Sequence, residues 1–189
     1  TYPMADFFVV LATENPLGME GTYPLPLAEL DRFMLRLRIG YPDSETELSI
    51  LRDDPSRTVL PTIEPVFPVE RMLELRERSQ NLYMHPSLVR LCVAIADDTR
   101  EHPELAYGLS PRAGLHLVAA AKALALIRER DYVSDAEIED LIVPVWAHRL
   151  GPRNGYGDVR EIVGAIGDRR LTALRTEESG AIAFSREPS

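Results

Sequence analysis

An unbroken apolar run near the start of the chain most constrains the fold. It covers Phe7-Phe8-Val9-Val10-Leu11-Ala12, and Asn15-Pro16 follows shortly after it. A strand that is buried on both faces has this pattern, as in a parallel sheet with helices above and below. Asn-Pro ends such a run because the residue before proline leaves the helical region and asparagine favours turns. We therefore predict a buried strand over residues 6–13 and a loop over residues 17–26.

A second strand is predicted over residues 33–39, where apolar side chains alternate with Met34, Arg36 and Arg38. This alternation is typical of a strand with one buried face. Residues 54–68 carry four prolines and indicate a linker.

Beyond this linker the apolar residues recur with the period of a helix. The predicted helices cover residues 68–80, 87–100, 111–130 and 134–146, with a weaker signal at 158–175. The helix over 111–130 is almost entirely apolar and should be the central buried one. Four helices of this length predict a small bundle of the size of a lid or docking domain.

Charge and composition exclude several classes of protein. The net charge is −9 without a basic block, which does not favour a general affinity for nucleic acid or anionic membranes. The apolar stretches are too short and interrupted to span a bilayer. A single cysteine, Cys92, excludes an internal disulfide and suits a reducing compartment, so we expect a cytoplasmic protein. No signal peptide pattern is visible, and Thr1 nearly abuts the first strand, so we expect a piece of something longer.

Three residues could take part in phosphate chemistry. Asn15 follows the carboxyl end of a buried strand, where ligands bind in open α/β sheets; the alternative is a plain Asn-Pro turn. Arg32 lies between a short helix and a strand and could reach a neighbouring subunit's phosphate; the alternative is a surface arginine paired with Asp31 or Glu29.

Arg112 is the most informative of the three. Ser110 and Pro111 suit the N-cap and first helical positions, so Arg112 falls in the first turn of a helix. There the helix dipole disfavours a cation by about 0.3–1 kcal/mol, which suggests an anionic partner. The alternative is an arginine that covers the lid surface and pairs with Glu101 or Glu104.

Other chemistry is not indicated. The four histidines lack metal-ligand spacing, and we expect no metal site. His116 and Cys92 suit core positions better than catalytic ones. The 189 residues contain no GxxxxGK[ST] loop and no apolar run that ends in paired acids, which are the usual means of holding a triphosphate and its magnesium.

Six separated motifs nevertheless carry a family resemblance. They are Phe8–Pro16, Glu20–Pro26, Glu29–Phe33, Ile39–Pro42, Gly108–Ala113 and His148–Leu150. In this order and spacing they resemble the MoxR family of AAA+ ATPases, over about residues 7–150. The resemblance implies an α/β remnant of a AAA+ P-loop core, with two strands and flanking helices, followed by an all-α four-helix lid domain. The expected divisions are residues 1–60 for the core, 61–152 for the lid and 153–189 for a tail that is partly disordered.

The resemblance also implies roles for the three residues. Asn15 matches the sensor-1 residue that positions the attacking water, Arg32 the arginine finger given to the neighbouring subunit, and Arg112 the sensor-2 arginine of the lid. The family forms hexameric rings, binds ATP and Mg²⁺, and acts in a chaperone-like way, commonly on proteins with a von Willebrand factor A domain. Because the Walker A and B segments are absent here, we expect this chain alone to bind no nucleotide tightly.

Three hypotheses follow. The chain is the carboxy-terminal part of a MoxR-type ATPase, or a helical interaction module derived from a lid, or one half of a site that a separate chain completes. In AAA+ cores the strand leading into the phosphate loop lies between the two strands predicted here. We therefore expect segments 6–13 and 33–39 to stay apart with exposed edges or to pair in another way. The sequence upstream separates the first two hypotheses: an in-frame GxxxxGK[ST] supports the ATPase, and a start at Met4 supports the module.

Overall fold

The computed structural model describes residues 2–14, 25–153 and 158–184, with the main chain only for 178–184. Its contacts divide the chain into two compact units. The residues up to Val10 form the first unit together with Leu37–Leu75. Leu11–Arg36 form the second together with the chain from Arg76 onward.

The described residues of the first unit are helical or irregular. Its elements are α2 (Ser44–Asp53), α3 (Pro55–Thr58), a 3-10 turn (Leu60–Thr62) and the start of α4 (Val69–Gln80). Asp43 caps α2, since its side chain accepts a hydrogen bond from the Thr46 amide. None of these helices contains a buried residue.

The second unit holds the hydrophobic core. After α1 (Leu27–Leu30) come β1 (Tyr83–Met84), α5 (Pro86–Glu101), β2 (Leu105–Tyr107), α6 (Pro111–Ile127), β3 (Tyr132–Val133), α7 (Asp135–Trp146), a 3-10 turn (Ala147–Arg149), β4 (Gly151–Pro152) and α8 (Val159–Phe184). β1 pairs with β3 in parallel, and β2 pairs with β4 antiparallel.

Helices α5 to α8 form the bundle. Each presents apolar residues at helical spacing, and Ile95, Leu117, Ile138 and Val163 are fully buried. The helical part of the fold prediction is therefore confirmed, but the fourth packed helix is α8. The predicted helix over 68–80 exists as α4, yet it has no buried residue, because half of its side chains are charged.

The prediction of strands over residues 6–13 and 33–39 is wrong. Neither residues 6–13 nor residues 33–39 form a β-ladder in the described part of the chain. A strand is stabilised by hydrogen bonds to a neighbouring strand, and the described residues offer these segments none. Their apolar side chains are consequently exposed, as at Phe8, Val10, Leu37 and Ile39. Of the two arrangements expected for these segments, the unpaired one is observed.

Candidate functional site

The three candidate residues have different surroundings. Asn15 lies outside the described residues, and its sensor-1 role stays a prediction. Arg32 and Arg112 both lie in the second unit. They are connected through Asp31, which precedes Arg32 in the chain and forms an ion pair with Arg112.

Asp31 sits at the end of the short helix α1, where its backbone N–H still donates to Leu27. Its carboxylate is only 20% exposed and accepts hydrogen bonds from three side chains. Arg149 Nε donates at 3.1 Å, Ser110 Oγ at 3.1 Å and Arg112 Nη1 at 3.2 Å. This carboxylate thus joins the amino-terminal segment to the start of α6 and to the turn after α7.

Arg149 is the most deeply buried charge of the site. Its side chain is 2% exposed, and burial lowers the pKa of the guanidinium while Asp31 raises it. Besides Asp31, it donates to the backbone carbonyls of Phe33, Met34 and Val145. A buried guanidinium is tolerated only when its donors are satisfied in this way. Arg149 therefore fixes the segment that follows α1 onto the bundle.

Two histidines complete the surroundings of Arg149. His116 Nδ1 lies 2.5 Å from Arg149 Nη2, and His148 Nε2 lies 3.1 Å from the Phe33 carbonyl. Burial lowers the pKa of His116, and the nearby Arg149 lowers it further. Burial also lowers the pKa of His148, against the opposing effect of its bond to Phe33. Both rings are therefore kept neutral, so that His116 accepts from Arg149 and His148 donates to Phe33.

Arg32 projects away from this set of contacts. Its side chain is 68% exposed, and Nη1 pairs with Glu29 Oε2 at 3.2 Å, one of the two partners considered from the sequence. An exposed pair of this kind contributes little to stability, at most about 1 kcal/mol. The guanidinium can therefore exchange Glu29 for another anion at small cost.

Arg112 occupies the predicted position in the first turn of α6. Ser110 is the N-cap, with its side chain accepting from the Ala113 amide at 3.2 Å, and Pro111 opens the helix. Arg112 is paired with Asp31 rather than with Glu101 or Glu104. A half-exposed guanidinium beside a helix N-terminus fits one phosphate contact. A phosphate would have to compete with Asp31, and the 189 residues supply no glycine-rich loop for the other contacts.

Sequence reasoning found the two arginines but missed what joins them. From the sequence, Asp31 is predicted only to be a surface partner of Arg32. Arg149 belongs to the motif His148–Leu150, which by itself predicts no role for it. The signal was weak, because the pair lies 118 positions apart and no local pattern connects it.

Other chemistry finds no support in the described residues. Among them, no group of three or more His, Cys, Asp or Glu side chains could hold a metal ion. Burial raises the pKa of Cys92 to about 12, which keeps it a thiol, as expected for a core residue. No helix within the described ranges has the length and apolar character needed to cross a bilayer.

Comparisons with known proteins assign the family. The family described as "ATPase family associated with various cellular activities (AAA)" matches residues 1–35, and the AAA lid domain family matches residues 97–166. The chaperone MoxR1 of Mycobacterium tuberculosis is 38% identical over 159 residues, which cover 79% of this chain and 42% of that protein. The chain belongs to the MoxR family of AAA+ ATPases.

Further relatives agree with this family. The uncharacterized protein YeaC of Bacillus subtilis is 41% identical over 150 residues, covering 79% of this chain and 47% of that protein. A crystal structure of a candidate ATPase from Cytophaga hutchinsonii superposes with a TM-score of 0.78 at 31% identity, covering 87% of this chain and 54% of the other. This MoxR-family chain thus spans about half the length of the curated relatives it matches.

Proposed function

We propose that these residues act within a complete AAA+ ATP hydrolase, in which Arg32 serves the nucleotide site of a neighbouring subunit. The observation that carries this proposal is the contrast at Arg32. The main chain on both sides of it is held by a buried guanidinium, while its own side chain is 68% exposed and forms a weak surface pair with Glu29. A rigidly held main chain with an exposed guanidinium suits the stabilisation of charge on a phosphoryl group that is transferred in another subunit.

The other sites follow in the same proposal. Arg112 would contact the nucleotide of its own subunit from the lid, and Asn15 would orient the attacking water. ATP and Mg²⁺ would be held mainly by residues outside this sequence, with Mg²⁺ neutralising charge on the phosphates. The division of the chain at about residues 60 and 152 stays a prediction, and the family matches at 1–35 and 97–166 lie on either side of the first boundary.

Assembly and partners are proposed from the family. A hexameric ring would place Arg32 of one subunit at the next subunit's nucleotide, because a finger that acts in trans needs a neighbour. The ring would act in a chaperone-like way on proteins with a von Willebrand factor A domain, in the cytoplasm. The relative from Mycobacterium tuberculosis is itself named a chaperone.

Replacement of Arg32 tests this function in the complete ATPase. Arg32→Ala should lower kcat by about 10³-fold or more, as for other arginine fingers, with nucleotide affinity within about threefold. Arg71→Ala is the matched control, because Arg71 forms a similar exposed ion pair with a glutamate three positions away, at 2.8 Å, and should leave turnover unchanged. Loss of nucleotide binding with retained turnover in Arg32→Ala would show that the finger assignment is wrong.

A second function, a helical interaction module, is favoured by a different observation. The bundle α5–α8 closes its own core, and Arg112 already has Asp31 as its anion. Calorimetry of the 189-residue chain with ATP and Mg²⁺ should give no binding tighter than high micromolar under either proposal. Tighter binding would contradict both, because it would show that this chain holds a nucleotide by itself.

A further inference from the structure

We infer that Arg149 and Asp31 are positioning residues for Arg32. Arg149 hydrogen-bonds to the main chain on either side of Arg32, and Asp31 orients Arg149. This inference rests on the proposed function of Arg32. Arg149 Nη2 donates to the carbonyl of Asp31 at 3.4 Å and to the carbonyl of Phe33 at 2.5 Å. These carbonyls belong to the residues directly before and after Arg32. One planar guanidinium therefore fixes the peptide geometry around the finger without touching its side chain.

Independent contacts hold the same turn. The Arg36 amide donates to the Pro144 carbonyl at 2.9 Å, and His148 reaches the Phe33 carbonyl at 3.1 Å. Asp31 in turn orients Arg149 by accepting from its Nε at 3.1 Å. The direction in which Arg32 leaves the surface is thus set by the end of α7 and the turn after it.

A comparison within the bundle separates this arrangement from an ordinary ion pair. Asp98 is as shielded as Asp31, at 17% exposure, and is likewise held by two arginines, Arg169 and Arg170. Arg169 and Arg170 are far more exposed than Arg149, and both donate hydrogen bonds to the Asp98 carboxylate. The Asp98 cluster joins α5 to α8, whereas Arg149 bonds to the backbone of the finger segment.

Asp31 adds a link between the two proposed nucleotide contacts. Its carboxylate pairs with Arg149, which holds the finger segment, and with Arg112, which would face the subunit's own nucleotide. Asp31→Asn should therefore disturb both arginines. Arg149→Met should disturb Arg32 alone, because Arg112 keeps Asp31 as its partner.

Hydrogen exchange on the 189-residue chain tests, without reference to catalysis, whether Arg149 holds the main chain around Arg32. In Arg149→Met, the amides of Phe33 and Arg36 should exchange at least tenfold faster, while those of α5 to α8 keep their protection. Asp31→Asn should give the same local change, and the matched control Asp98→Asn should not. Unchanged exchange at Phe33 and Arg36 would overturn the inference. So would loss of protection throughout the bundle in both Arg149→Met and Asp31→Asn, since these residues would then be needed for the fold as a whole.

Mixed rings of the complete ATPase test the effect on the finger. Subunits with Arg32→Ala keep their own nucleotide site, and subunits with Arg112→Ala keep their finger, so mixing the two should restore turnover at some interfaces. Arg149→Met should behave as Arg32→Ala does. It should lower kcat at least tenfold with KM for ATP within twofold, regain turnover with Arg112→Ala, and gain none with Arg32→Ala.

The two failures can be told apart. The inference is wrong, because Arg149 does not act through the finger, if mixing with Arg32→Ala restores the turnover of Arg149→Met. It is also wrong if Arg112→Ala restores the turnover of Arg32→Ala but not that of Arg149→Met. If Arg32→Ala and Arg112→Ala fail to complement each other, the proposed function is wrong, and Arg149 loses its role for the finger while the exchange result still decides whether it grips the segment.

Discussion

The apolar side chains of helices α5 to α8 and those of the exposed stretches at residues 8–11 and 35–39 differ widely in exposure. In the bundle, Ile95 and Leu117 are fully buried, whereas Ile39 is 98% exposed. Composition does not explain the difference, since both regions are rich in aliphatic residues. A helix completes its backbone hydrogen bonds within itself and needs only apolar neighbours, while a strand also needs a second strand. The described chain gives the helices apolar neighbours, but it gives residues 8–11 and 35–39 no partner strand.

The segment 25–36 behaves in a third way. It joins the bundle largely through polar contacts, from Asp31 to Arg149 and from Arg36 to Pro144. Such contacts depend on charge state and geometry more than apolar burial does. We therefore expect the bundle to contribute most to stability, the segment 25–36 less and the exposed stretches least. Three measurements test this order.

The largest effect is expected in the bundle core. Trp146 is fully buried, and its Nε1 donates to the Ala113 carbonyl at 2.9 Å. Trp146→Ala should lower the free energy of unfolding by about 3–5 kcal/mol, because it removes a large apolar side chain and leaves a cavity. Urea unfolding followed by circular dichroism measures this. A loss below about 1 kcal/mol would show that the bundle is not the stable part of the chain.

A smaller effect is expected from acidification, and it concerns the segment 25–36. The pKa values of His116 and His148 are lowered in the folded chain, chiefly by burial. Below the ordinary histidine pKa of about 6.5, the unfolded or undocked chain takes up protons that the folded site resists. The segment 25–36 is therefore most stably docked above about pH 6.5, and its docking weakens as the pH is lowered through that value.

The measurement is amide exchange in residues 31–36 between pH 7.5 and pH 5.5, corrected for the intrinsic pH dependence of exchange. Protection there should fall with pH before that of α5 to α8. The pKa of Asp98 is lowered chiefly by Arg170. Burial raises the pKa of Glu137, but Ser134 and Arg128 together lower it below its ordinary value. Both carboxylates therefore lose their contributions only at more acidic pH. Uniform protection of residues 31–36 down to pH 5.5 would contradict the assigned neutral histidines.

The smallest effect on stability is expected in the exposed stretches. Ile39→Ser should change the free energy of unfolding of the 189-residue chain by no more than about 0.5 kcal/mol, since the side chain has almost nothing to lose. Light scattering should at the same time report less self-association, because exposed apolar segments promote it. A destabilisation above about 1 kcal/mol would mean that Ile39 is buried in solution.

The sequence predicted those features that depend on nearby residues. Helical periodicity located α5, an almost continuous apolar run marked α6 as the buried helix, and the pair Ser110-Pro111 located the start of α6. The strands failed because periodicity reports which faces could be buried, not whether a partner strand is present. The link from Asp31 to Arg149 was missed because it depends on the tertiary fold. Arg112 was recognised as needing an anion, and the anion that the structure supplies is one from the chain itself.

The end of α7 has a consequence for how this protein can change over time. After Pro144 the helix runs for only two more residues before the 3-10 turn, and the Pro144 and Val145 carbonyls accept from Arg36 and Arg149. These contacts to residues 33, 34 and 36 go to main-chain groups, namely the carbonyls of residues 33 and 34 and the N–H of residue 36. These particular contacts therefore leave the choice of side chain at the three positions open, apart from excluding proline at residue 36. Asp31 and Arg149 lack that freedom, and a change at one calls for a compensating change at the other.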